Sequence, residues 1–187
     1  MISEEKKFIF IHIPKTGGSS ITKSIEKYST NKIIWKNKNE VFVNHKDVPN
    51  YKHRSMDQLI SIHNNEFKDY FKFTIVRNPY DRILSFIFWS TGGRNVNNKT
   101  IDHYITKIKP LSWFMGDHKF NYIIKFENLV NDFEEVCRLL KLDIIPLKQL
   151  NKSAYNHKYK NYLTKSHIEK INEKHKQDFI YFGYKMD

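Results

Sequence analysis

Three short runs of this chain are dominated by apolar side chains: Phe8, Ile9, Phe10, Ile11 and Ile13 within 8–13, FKFTIV at 71–76, and NYIIKF at 121–126. Runs of that length mark strands buried on both faces, as in the middle of a parallel sheet. Between them the period changes from two to helical. Ile21 and Ile25 stand four apart behind Ser19 or Ser20, which suit an N-cap, so a helix is predicted over roughly 19–28. HRSMDQLISI opens a second helix, with Ser55 and Gln58 at capping-box spacing. In RNPYDRILSFIFW, Asn78 suits the N-cap and Pro79 the first helical position. TIDHYITKI, the strongly periodic NLVNDFEEVCRLLKL and a polar-faced tail from about Lys165 to Gly183 complete the helices, with weaker strand candidates at 32–35 and 41–44. Strands alternating with helices predict an α/β fold of three layers around a central parallel sheet, as one domain over 1–187. In such sheets ligands gather beyond the carboxyl ends of the strands.

Two strands end in suggestive residues. After the first comes PKTGGSS, 14–20, where Gly17 and Gly18 let backbone amides approach an anion at the start of a helix. Lys15 precedes these glycines, whereas in G-x-x-x-x-G-K-[ST] the lysine follows them. The loop therefore departs from the nucleoside-triphosphatase pattern while keeping its materials. After the second strand, Arg77 can fork onto a phosphate, and Ser85 shares a helix face with Asp81 and Arg82. An internal salt bridge for Arg77 and plain helix packing for Ser85 explain the same residues without a ligand. Two basic loops at neighbouring strand ends suit a ligand with two separated phosphate-like groups.

Charge narrows the partners less than it first suggests. Thirty-two Lys+Arg against 20 Asp+Glu give a formal net charge of +12, a field that attracts polyanions. The lysines are scattered among asparagine and isoleucine, however, without the dense basic block of a nucleic-acid patch. Cys137 is the only cysteine, so no internal disulfide forms and a reducing compartment is expected. No run approaches the roughly 18 apolar residues of a membrane span. A cytoplasmic protein without a transmembrane segment is the expectation.

HIPKTGGSS and FTIVRNPYDRILSF together resemble the two cofactor loops of sulfotransferases that use 3′-phosphoadenosine-5′-phosphosulfate (PAPS), most closely the carbohydrate-type, family 2-like branch. IIKFENLVNDFEEVCRLLKL and the segment from Tyr155 to Tyr184 resemble later parts of that family, while 30–55 and 92–118 are least recognisable. The resemblance implies a P-loop-like sulfotransferase fold and transfer of a sulfuryl group from PAPS to an acceptor hydroxyl, releasing adenosine 3′,5′-bisphosphate. It implies that Lys15 stabilises charge on the bridging oxygen. Thr16, Gly17, Gly18, Ser19 and Ser20 would hold the 5′-phosphate, and Arg77 with Ser85 the 3′-phosphate. The segment 155–162 would close over the nucleotide, with Lys158 and Lys160 as helpers.

Such transfer needs a base for the acceptor proton. His53 is preferred, His45 competes, and a carboxylate stays open; His12, inside the first strand, reads as structural. No metal is expected. The acceptor implied is a glycan, glycolipid or other hydroxyl compound, and Trp89 and Trp113 are candidate sugar platforms beside the more core-like FIFW run. Glu127 and Asn128 read as loop-ordering or capping residues, and Asp178, Phe182 and Tyr184 as packing. The alternatives are a nucleotide kinase-like phosphotransferase and a non-catalytic polyanion binder.

Overall fold

A computed structural model describes residues 1–30, 32–36, 39–43, 51–63, 66–143, 146–147, 155 and 158–187, with 32–36, 39–43 and 51 in backbone outline. The chain forms two compact units. One comprises Met1–Val76 and Phe114–Asn151, the other Arg77–Trp113 and Lys152–Asp187.

The first unit is built on a four-stranded sheet in the order β1 (Ile2–Ser3), β2 (Phe8–Ile11), β5 (Phe71–Val76), β6 (Tyr122–Lys125). β2, β5 and β6 run parallel, and only the two-residue β1 is antiparallel. The three strongly apolar runs of the sequence are thus the three parallel strands. Every residue of β2 is buried, and Phe73 lies 5.7 Å from Phe8 and 5.0 Å from Phe10 between ring centroids. Thr74, the one polar residue in the buried half of β5, donates its hydroxyl to the Ile11 carbonyl at 2.8 Å. A separate hairpin joins β3 (Lys32–Lys36) to β4 (Asn39–Val43).

Helices α1 (Gly18–Ile25), α2 (Met56–His63) and α6 (Leu129–Leu140) accompany the sheet. The capping box foreseen at α2 is present: the Gln58 amide donates to Ser55 Oγ, and the Ser55 amide donates to Gln58 Oε1. The sheet is mostly parallel and flanked by helices, the α/β class that the sequence predicts. His45 lies outside the described residues.

The second unit is helical: α3 (Pro79–Thr91), α4 (Asn98–Lys107), α7 (Lys165–Lys174) and α8 (Lys176–Phe182). Tyr80, Ile83, Leu84 and Ile87, at helical spacing on α3, share a core with Ile101, Ile105, Tyr155, Ile171 and Phe179. The tail is two helices rather than one. His175 leaves helical geometry at φ −107° and ψ 17°, and its buried Nδ1–H donates to Asp178 at 3.1 Å. Asp178 is wholly buried and also accepts from the amides of Leu111 (2.7 Å) and Ser112 (2.8 Å). A remote carboxylate therefore caps the short helix α5 (Leu111–Met115), a helix without a sequence signal of its own.

Candidate functional site

The loop between β2 and α1 is bent by two left-handed residues. Lys15 has φ 67°, unusual for a residue with a Cβ, and Gly17 has φ 91°. Between them Thr16 is fully buried and donates its hydroxyl to the Ile13 carbonyl at 2.9 Å. That bond ties the turn shut and commits the Thr16 hydroxyl inside the loop. Gly17 is needed twice over. Its φ disfavours any other residue, and a Cβ there would come within 3.1 Å of the Phe126 ring and 3.3 Å of Leu129. Gly17 is also the N-cap of α1 and brings no side-chain oxygen to the first-turn amides. No acidic residue stands in that first turn. Gly18 and Ser20 are buried, and Ser19 is half-buried. The result is a helix N-terminus with positive dipole and a lysine before it, an arrangement whose chemistry suits an anionic oxygen.

Ahead of this loop, His12 is 4 % exposed, and its ring occupies the space beside Gly18. A Cβ on Gly18 would fall 2.3 Å from His12 Cδ2. His53, exposed in the turn before α2, meets the His12 ring edge-on, with centroids 4.9 Å apart at 82°. Its Nδ1 lies 2.9 Å from the His12 carbonyl oxygen.

In the second unit, Asn78 and Pro79 open α3 as the sequence implied. Asn78 Oδ1 accepts from the Tyr80 amide at 3.0 Å, and Pro79 occupies the first helical position. Arg77 and Ser85 are each 3 % exposed. Arg82 is buried too, donates to the Lys109 carbonyl at 2.8 Å, and is pushed down to about 10. Burial is the main cause; Asp178 opposes it and the nearby Arg77 guanidinium adds to it. Two guanidinium groups therefore share this helix start. Asp81 accepts a hydrogen bond from the buried Tyr155 hydroxyl. Burial, with the Asp81 carboxylate second, pushes that phenol well above its usual range, so it stays a donor.

Residues 1–91, just under half of the chain, match the family model described as Sulfotransferase family. Over these residues the chain is similar to the sulfotransferase family. The matched stretch contains Lys15, the two glycines, His53, Arg77 and Ser85. No curated protein and no solved structure matches the chain. The family match supports sulfuryl transfer in the general sense.

Other expected residues fall in plainer places. Lys160 is held by Asp187 at 2.7 Å, while Tyr159 stacks on Tyr80 and donates to the same carboxylate. In the FIFW run only Ile87 is core; Phe86 and Phe88 are half-buried. Trp89 is 58 % and Trp113 42 % exposed, the latter with Lys109 over its ring. Asn128 is the N-cap of α6 and donates to Asp132 at 2.7 Å, and Glu127 is exposed. Among the described residues no acidic, histidine or cysteine cluster could hold a metal, and no helix is long and apolar enough to cross a membrane. Sequence reasoning missed Phe126 and Leu129 as the floor beneath Gly17, because their partner lies more than 100 positions away. It also missed Tyr155 as the partner of Asp81.

Proposed function

We propose that the protein is a sulfotransferase that takes its sulfuryl group from PAPS and passes it to a hydroxyl of a carbohydrate or glycoconjugate, releasing adenosine 3′,5′-bisphosphate. One observation carries the reading. The β2–α1 turn combines a left-handed Lys15 with a helix cap that has no side chain, inside the segment that matches the family. Phe126, Leu129 and His12 pack against Gly17 and Gly18 and leave no room for side chains there, so the loop meets a ligand with backbone.

The bound donor supplies an activated sulfuryl group on a phosphate leaving group. Loop amides at the start of α1 and the Ser19 and Ser20 hydroxyls hold the 5′-phosphate, and Lys15 neutralises charge developing on the bridging oxygen. Arg77, with Ser85, takes the 3′-phosphate. A guanidinium held out of water attracts a doubly charged phosphate more strongly than one on the surface. His53 accepts the acceptor proton. Trp89 and Trp113 offer exposed aromatic faces for a sugar, and the +12 net charge favours an anionic acceptor. The chain crosses between its units after Val76, Trp113 and Asn151, and we take the two to work as one sulfotransferase domain.

Isothermal titration with adenosine 3′,5′-bisphosphate, and ADP as control, tests the donor. The bisphosphate is expected to bind at micromolar strength and ADP far more weakly, a difference that Arg77→Ala abolishes. Equal binding of ADP, or no binding of either, would contradict a PAPS site and favour a phosphotransferase or polyanion binder.

A further inference from the structure

His12 makes two contacts that a core-filling histidine does not need. Its ring lies on the Cα of Gly18, the first residue of α1, where a Cβ would come within 2.3 Å of Cδ2 and 2.4 Å of Nε2. The same ring presents itself edge-on to His53, and the carbonyl of the same residue stands 2.9 Å from His53 Nδ1. A carbonyl oxygen only accepts, so that nitrogen must carry the proton. In the neutral imidazole the lone pair then resides on Nε2. His12 itself is anchored: 4 % exposed, at the end of β2, and stacked on Phe10 at 5.7 Å.

We propose that His12 is the positioning residue of the acceptor base. Its backbone carbonyl fixes His53 in the Nδ1–H tautomer, which puts the lone pair that takes the proton on Nε2. Its ring, which also backs the anion loop, braces the His53 ring. The base and the loop are then set by one rigid residue. Any side chain at position 18 would displace the His12 ring and with it His53. This rests on the reading of His53 as the base, but the tautomer itself does not depend on it.

Long-range proton–nitrogen NMR of the histidine rings tests the proposal without donor or acceptor. Loss of one signal set in His53→Gln assigns that residue. The wild type is expected to show His53 as Nδ1–H, against the Nε2–H form that free imidazole side chains favour in water. In His12→Ala the backbone carbonyl remains but the ring that braces His53 against it is gone. The His53 signals therefore move toward Nε2–H and sulfuryl transfer falls about 10- to 100-fold, the scale of a misplaced catalytic group. His12→Phe, which restores an anchored aromatic edge, recovers most of both. If His12→Ala does not fold, His12→Leu, which fills the space without an aromatic edge, replaces it. An Nε2–H tautomer in the wild type, or His53 signals unchanged by removal of the ring, overturns the proposal. Failure of the bisphosphate to bind would overturn the donor reading instead and leave these spectra as they are.

Discussion

The turn before α1 and the turn before α3 solve the same problem in opposite ways. Each leads from a buried parallel strand into a helix whose first amides lack partners within the helix. At α3 the chain satisfies itself: Asn78 accepts from the Tyr80 amide and Pro79 removes a donor altogether. At α1 it declines to do so, capping with Gly17 and no side chain. A turn capped without a side chain can meet an anion with backbone. A turn that has closed them must use side chains, and there stand Arg77 and the buried Arg82. The roles proposed for the two turns draw on that difference, backbone at α1 and side chains at α3.

The self-satisfied turn depends on buried charge, so its largest vulnerability is the counter-ion. Asp178→Ala leaves two amides, His175 and Arg82 without their carboxylate, and is expected to destabilise the protein by about 3–5 kcal/mol, read by chemical denaturation. An effect no larger than that of a surface carboxylate would remove the structural half of the comparison. The open turn should show the reverse profile. Lys15→Ala is expected to lower sulfuryl transfer about 100- to 1,000-fold with little change in the unfolding midpoint. Arg77→Ala should weaken adenosine 3′,5′-bisphosphate about 10- to 100-fold, as for a lost charged hydrogen bond.

Smaller effects sharpen the contrast between the caps. Asn78→Ala costs about 1 kcal/mol of stability, the usual loss for a side-chain cap. Gly17→Asn adds a capping side chain to α1 and yet gains nothing, because a Cβ there meets Phe126 and Leu129. It should instead abolish donor binding in a titration.

The smallest effect is one of pH. Burial holds His175 below its usual 6.5 despite the opposing bond to Asp178, so the unfolded chain binds more protons near that pH. His175 therefore costs no stability above about pH 6.5, and stability falls as pH drops from there toward its depressed value. For Asp178, burial pushes upward, but its donors outweigh that and hold it below the usual carboxylate range, adding a loss below about pH 3.8. Thermal melts across pH 5–8 should show a decline in the wild type that His175→Gln flattens.

The sequence disclosed what local chemistry decides. The apolar runs became the parallel strands, Asn78 and Pro79 became the start of α3, and Ser55 with Gln58 became a capping box. The expected helix at 19–28 ends at Ile25 and continues as a single 3₁₀ turn, a boundary shift of a few residues. Features set by distant partners were not legible. The break at His175 has no glycine or proline to announce it, because its cause is a bond to Asp178. The helix at Leu111 is capped from 67 positions away. His12 read as a strand residue since its contacts with Gly18 and His53 exist only once the chain has folded. The left-handed backbone of Lys15 was equally hidden, although the lysine's unusual place in the loop was plain.

Phosphorus NMR of bound adenosine 3′,5′-bisphosphate tests the central claim most directly, because the two phosphates report separately on the two turns. The account predicts that Lys15→Ala shifts the 5′-phosphate signal and leaves the 3′ signal in place, while Arg77→Lys does the opposite. Both substitutions moving the same signal, or neither moving any, would contradict it.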